Sequence, residues 1–532
     1  MKTHILKKIR VILSLLFFIA VTLLFLDIKN FFVEESSSAI LYLQFLPSLT
    51  KFLYIAGLST AGFVVVLVLT LLFGRVYCSS ICPLGTLQDI ISYFAKRKRK
   101  NKKKKKFVFT KAKELLRYSI LGIVALALIL GSSIGVLLLD PFSNYGRVVS
   151  SFFRPVVMFA NDALVTILEM FDNYSVFPVG FKGIDLLAIL FPFVLLIAVA
   201  WLSYKRGRLY CNTICPVGTF LGFISKYSFY KIKISEESCS GCGVCERVCK
   251  SECIDSPNKF VDNSRCVDCF NCLSVCPSSA VVYEPAKFEF RKPAKQVNEH
   301  NESKRDFVKK LGLYFLGLTA VAKAQEKINV YVNNDVPVVR KNPISPPGSI
   351  SLEHFTDQCT ACHLCVTACP TQVLQPSFLE YGFLGMLQPM LVNNKGFCNY
   401  ECTACMDVCP AGAILPRELA DKKLIQIGKA KFVKDNCVVQ TQGTDCGACA
   451  EHCPTKAVRM VEYSHPKYPN KFLKIPEVTD DICIGCGACE YACPAIPYKA
   501  IYVESNEVHQ VAKKPLEEEA QPEVSEEEEF PF

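Results

Sequence analysis

The chain has 532 residues, of which 51% are hydrophobic, with a mean hydropathy of +0.27 and a formal net charge of +11. That apolar content is high for a soluble multidomain protein and asks for membrane segments. The positive charge collects in short runs beside apolar stretches, which points to topology and anionic lipid and away from nucleic acid.

Four stretches are long enough, or nearly so, to cross about 30 Å of hydrocarbon: residues 11–27, 52–73, 118–139 and 184–202. The second and third carry no charge over their length. Lys2, Lys7, Lys8 and Arg10 precede the first span, ten of the eleven residues from Lys96 to Lys106 are basic after the second, and Lys205, Arg206 and Arg208 follow the fourth. The positive-inside rule places all three on the cytoplasmic face. Residues 140–183 then form an outside loop, within which Arg154 to Met170 reads as an interfacial or ordinarily packed helix. Ionisable residues are nearly absent from the four spans, which argues against a proton or ion pathway.

The second span ends in Gly74-Arg75-Val76-Tyr77-Cys78-Ser79-Ser80-Ile81-Cys82-Pro83-Leu84-Gly85-Thr86, and the fourth ends in a near copy running from Gly207 to Thr219 with Cys211, Cys215 and Pro216. The helical part is thus an internal repeat of two hairpins. Within each copy the cysteines are four apart, so on a helix both thiols share one face, and the proline limits an upstream helix. Cys78, Cys82, Cys211 and Cys215 are candidate redox or quinone-adjacent residues. A cluster, disulfides and a quinone pocket all remain open from the sequence.

Six further runs of four take up 24 of the 29 cysteines. Two lie at Cys239-Cys242-Cys245-Cys249 and Cys266-Cys269-Cys272-Cys276. Four lie at Cys359-Cys362-Cys365-Cys369, Cys398-Cys402-Cys405-Cys409, Cys437-Cys446-Cys449-Cys453 and Cys483-Cys486-Cys489-Cys493. A proline follows every run but the first, where Lys250 stands. The spacing C-x2-C-x2-C-x3-C-P gives three thiolates to one cubane and the fourth to its neighbour. Zinc sites use isolated C-x2-4-C pairs, and a disulfide framework lacks the repeated proline.

By the crossed rule, Cys239, Cys242, Cys245 and Cys276 hold one cluster, and Cys266, Cys269, Cys272 and Cys249 another. Cys253 competes with Cys249, which keeps the three-residue spacing. Cys359-Thr360-Ala361-Cys362-His363 also matches a haem c attachment pattern, but that use would strip two ligands from a complete run.

Lys304-Arg305 and the apolar run Leu311 to Ala322 lie between the two cysteine-rich regions. They read as a twin-arginine-like export signal or a short fifth span. The tail from Glu517 to Phe532 has eight glutamates and no basic residue, a composition of disordered docking tails.

These features divide the chain into a membrane domain at 1–230, a two-cluster ferredoxin domain at 231–285, a linker at 286–350, a four-cluster domain at 351–505 and an acidic tail at 506–532. The expected fold is multidomain, an α-helical membrane domain of four spans plus α+β bacterial-type ferredoxin domains with six [4Fe-4S] clusters in all.

With its spans, two C-x3-C-P repeats and double cysteine run, the first half resembles the NapH family of membrane ferredoxins, related to the NosR and CcoG types. From about residue 300 the chain is similar to NapG and MauM ferredoxins, so the whole resembles a fusion of the two. The resemblance implies an inner-membrane electron-transfer subunit with quinol dehydrogenase activity, relaying electrons from the quinone pool to a periplasmic reductase or cytochrome. It also implies a quinone as further cofactor. The basic runs place the two-cluster domain in the cytoplasm, and the export-like segment at Lys304-Arg305 would carry the four-cluster domain to the periplasm. The alternative is a NosR- or CcoG-like regulatory or assembly factor. An enzyme with its own substrate site is weakest, since no nucleotide fingerprint is present. A similarity to the iron-sulfur subunits of molybdopterin reductases implies that the first of the four later runs pairs with the fourth and the second with the third. Cys493 would then complete the site of Cys359, Cys362 and Cys365, and Cys369 that of Cys483, Cys486 and Cys489. Cys453 would join Cys398, Cys402 and Cys405, and Cys409 would join Cys437, Cys446 and Cys449.

Overall fold

The computed structural model describes residues 2–27, 36–57, 60–97, 107–183, 186–285 and 336–514. The basic run beyond Arg97, the twin-arginine-like segment and the acidic tail lie outside the described residues.

Helix α1 (Lys2–Leu26) and helix α10 (Leu186–Arg206) are single apolar helices long enough to cross a membrane. Much of their apolar surface faces outward, Leu16, Ile19, Leu187 and Ile197 among it. The second and third expected spans are interrupted. The second is divided between α3 (Phe45–Tyr54) and α4 (Gly62–Phe73), the latter only 12 residues long, about 18 Å of helix. The third divides into α6 (Glu114–Ile129) and α7 (Ile134–Leu139). Its break has a local cause: Gly131 takes a positive φ of 82°, its amide donates to Leu128 and the Ser132 amide to Ala127. That is a Schellman stop, which glycine adopts without a Cβ penalty.

A third helix of sufficient length and apolarity lies where a loop was expected, at Pro141–Glu169. Asp140 caps it by accepting from the Ser143 amide at 2.8 Å, Pro141 occupies the first turn, and α8 (Pro141–Val148) runs through one π turn into α9 (Arg154–Glu169). Its polar residues hid it from a hydropathy reading. Ser143, Asn144 and Arg147 are all 0% exposed and face inward.

The near-copied segments follow one plan with one difference. Tyr77–Ile81 forms a π turn and α11 (Leu209–Thr213) an α turn; each leads through an extended cysteine into a helix opened by proline, α5 (Pro83–Arg97) and α12 (Pro216–Ser225). The two thiols of a copy therefore do not share one helix face. The first sits on the short turn, and the second precedes a helix whose first position is the proline, where its missing N–H costs nothing.

Strand β1 (Tyr230–Ile234) pairs antiparallel with β4 (Val281–Pro285), closing the first two cysteine runs into a small module around α13 (Val244–Val248) and the two-residue strands β2 (Ile254–Asp255) and β3 (Phe260–Val261). In the four-run region β5 (Leu374–Pro376) pairs with β6 (Pro389–Leu391), β8 (Val458–His465) with β9 (Tyr468–Val478), and β7 (Ile425–Phe432) with β10 (Ile501–Val511).

The two cysteine-rich bodies sit at opposite ends of α1. Near its start, Lys7 Nζ donates to Ser274 Oγ of the first module at 3.2 Å. Near its end, Phe25 and the carbonyl of Cys362 both pack against Gly146, where a Cβ would stand 2.5 Å from each. Eighteen residues of helix separate Lys7 from Phe25, about 27 Å.

The contacts at each end agree. On the first side Tyr283 Oη donates to Phe73 O and the Arg208 amide to Lys250 O. On the other, Ser133 Oγ donates to Thr356 O, Arg154 to Thr367 O, and Tyr54 lies 4.3 Å from the His354 ring.

Candidate redox centres

Before the third thiol of a run the backbone reverses through a left-handed residue at Gly243, His363 and Gly487, with φ of 68°, 65° and 80°, whereas Thr403 and Gly447 hold that place at negative φ. His363 is the costly case, because a side chain rarely adopts this region. Its ring is buried, with Nε2 2.8 Å from the Leu387 carbonyl, and burial pushes its pKa down to about 3. That neutral, backbone-bound imidazole accounts for the C-x-x-C-H sequence without haem. The eight-residue gap between Cys437 and Cys446 is filled by the helical turn Val438–Gln442, ended by Gly443 at φ 63°.

The cysteines gather in fours, but not by the pairing that the molybdopterin-reductase similarity implies. Cys409 stands in the electrostatic neighbourhood of Cys359, Cys362 and Cys365, and these four line one cavity with Phe355 and Ile414. Cys369 joins Cys398, Cys402 and Cys405 around a second. Cys493 lies with Cys437, Cys446 and Cys449, and Cys453 with Cys483, Cys486 and Cys489. The first run therefore crosses with the second and the third with the fourth. The physical reason is adjacency: consecutive runs fold back on each other as ferredoxin pairs, and β7 with β10 closes the later pair as β1 with β4 closes the first module.

In the first module Cys276 neighbours Cys245, and Cys249 neighbours Cys266 and Cys272, as the crossed rule requires. Cys253 lies 3.5 Å from Cys249, sulfur to sulfur, and also contacts Cys266. Both thiols are buried at the same place.

Four-thiol groups suit a cubane, whose cysteines bind different irons. Among the described residues no group of three or more Cys, His, Asp or Glu closes on one point as a mononuclear ion would need. The groups fit iron-sulfur clusters, whose chemistry is one-electron transfer.

The groups also lie in order. The Cys398 amide donates to the Cys486 carbonyl at 2.9 Å, which sets the second and fourth runs' sites side by side. The site of Cys359, Cys362, Cys365 and Cys409 lies against the helices, with Arg147 near Cys359 and Cys362. Arg147 in turn donates to Asn144 Oδ1 at 2.7 Å, and Asn144 to Tyr210 Oη at 3.2 Å. Tyr210 immediately precedes Cys211.

All of Cys78, Cys82, Cys211 and Cys215 are buried and within electrostatic reach of one another. The surrounding contacts cross between copies. Arg75 donates to the Cys211 carbonyl, and Arg208 to the Cys78 carbonyl. Gly85 and Gly218 leave room for this, since a Cβ on either would stand 2.4 Å from the Cys78 oxygen or 2.3 Å from that of Cys211.

Asp89 ties three elements together. It pairs with Arg10 of α1, Arg208 and Lys250, the last at 3.3 Å. Lys250, the residue that replaces proline after the first run, thus anchors the first module to the helices. Sequence reading missed Asp89, Asn144, Arg147 and Arg154, which belong to no motif; a charged residue in an otherwise apolar helix was the only signal.

Comparison with known proteins places 4Fe-4S domains over these cysteine-bearing segments. A family described as 4Fe-4S binding domain matches residues 55–102 and again 187–235. Two families described as 4Fe-4S dicluster domain match residues 397–457 and 442–496, and residues 262–373. The ferredoxin-type protein NapG of Escherichia coli is 32% identical over 153 residues, which is 28% of this chain and 65% of that protein. The methylamine utilization ferredoxin-type protein MauM of Methylorubrum extorquens is 31% identical over 153 residues, 28% of this chain and 67% of that protein. An uncharacterized protein of Methanocaldococcus jannaschii is 26% identical over 288 residues, 54% of this chain and 97% of that one. The chain thus spans just under two thirds of the Escherichia coli relative. No solved structure matches.

Proposed function

Because the chain belongs to the NapG/MauM ferredoxin-type family, we propose that this iron-sulfur electron-transfer protein is a transmembrane conduit, relaying electrons from the quinol pool to a periplasmic acceptor. The observation that carries this reading is the placement of two cysteine groups at one end of α1 and four at the other, with a further cysteine quartet between. Lys7, Arg10, Lys205 and Arg206 lie at the first end, which supports a cytoplasmic face there. The four-run region then faces outward.

A quinol releases two electrons and two protons, whereas each cluster accepts one electron, so a series of clusters suits the task.

Anaerobic proteoliposomes test the function directly. A reduced quinol analogue should bleach the visible cluster absorption, and an impermeant oxidant added outside should restore it. If dithionite bleaches the clusters and saturating quinol does not, quinol is not the donor.

A further inference from the structure

We infer that Cys78, Cys82, Cys211 and Cys215 together hold one additional iron-sulfur cluster, shared between the two copies of the C-x3-C-P segment. Either copy alone has two of these thiols, too few for a four-cysteine cluster. The fold brings both pairs into one buried group, with every thiol within reach of the others.

Donors to sulfur are already in place. Gln88 Nε2 lies 3.2 Å from Cys211 Sγ, the Gly218 amide 3.4 Å from Cys215 Sγ, and Arg75 Nη2 3.7 Å from Cys78 Sγ. The Gly85 amide plays for Cys82 the part that Gly218 plays for Cys215. Such hydrogen bonds stabilise ligated thiolates and set cluster potentials.

Charge gives a second argument. The guanidinium groups of Arg75 and Arg208 face this site. Arg208 shares Asp89 with Arg10 and Lys250, whereas the Arg75 guanidinium bonds to Asn212, to the Ser264 and Cys211 carbonyls and to Cys78 Sγ, with no carboxylate among the described residues in contact with it. A buried cation without a counter-charge is expensive. Four thiolates around an oxidised cluster carry a net charge of about −2 and would supply one. Neutral thiols or two disulfides would not, and Arg75 Nε and Arg208 Nη2 also lack a protein partner.

This goes beyond the proposed direction of electron flow, and its test does not depend on quinol or acceptor. Iron per chain and the Mössbauer spectrum are measured on anaerobically purified protein and on the Cys82→Ser/Cys215→Ser double variant. Wild-type iron should exceed the roughly 24 atoms that six cubanes hold, and the double variant should lose about two to four of them. Undiminished iron and an unchanged spectrum would overturn the inference. If the double variant does not accumulate, Gln88→Ala supplies the readout, since it removes one donor to Cys211 and keeps every cysteine. One reduction potential should then shift at constant iron content. A full set of unshifted potentials would equally overturn the assignment.

Discussion

At the level of single residues, Asp89 is the most constrained group outside the cysteines. Burial alone would raise its pKa, but Arg208, Lys250 and Arg10 hold the carboxyl well below the usual range. A depressed folded pKa means that the contribution is fully present above the unfolded value near 3.9 and lost only as pH falls through the folded value. Stability from this group should therefore be flat from about pH 5 to 8. Asp89→Asn leaves three cations facing a neutral amide, so a loss of about 3–5 kcal/mol is expected. Thermal unfolding in detergent measures it, and a loss under about 1 kcal/mol would show that the cluster of charges is not coupled.

The fourth-ligand assignments are likewise decided residue by residue. Cys409→Ser should disturb the cluster of Cys359, Cys362 and Cys365, while Cys493→Ser should disturb that of Cys437, Cys446 and Cys449. Electron paramagnetic resonance separates the two, and the opposite pattern would restore the pairing implied by the molybdopterin reductases. The cysteines themselves were legible from spacing. Their partners were not, because four runs share nearly one grammar and only the chain fold decides which fourth thiol crosses. Lys250 read as a departure from pattern until Asp89 appeared beside it.

Among the elements, α1 and α10 were legible because unbroken apolar composition over 20 residues leaves few alternatives. The helix at Pro141–Glu169 was not, since composition averages over faces, whereas Asn144 and Arg147 point inward and Phe159 and Val156 outward. The stop at Gly131 escaped for the opposite reason: an apolar run continues through it, and only the backbone conformation ends the helix. The adjacency of Cys398 and Cys486 leads to a further expectation. The clusters of the second and fourth runs should show magnetic interaction when both are reduced, seen as broadening or splitting of their resonance signals. Two independent, unbroadened signals at full reduction would place those clusters apart.

For the whole molecule, the cysteine groups form a single file. It runs from the first module, past Asp268 and Arg75, through the quartet, then by Tyr210, Asn144 and Arg147 to the site of Cys359, and on to the remaining three. Division of the chain into helical and ferredoxin-like parts was legible from cysteine runs and apolar stretches. The order of the file was not, since it depends on contacts between residues more than a hundred apart, such as Arg75 with Asp268 and Gly146 with Cys362. The file has a purpose only if its ends face different compartments. Protease digestion of intact spheroplasts and of inverted membrane vesicles, read with an epitope attached after residue 514, decides this. The account predicts that the four-run region is cut in spheroplasts and protected in inverted vesicles; protection in spheroplasts with cleavage in inverted vesicles would contradict it.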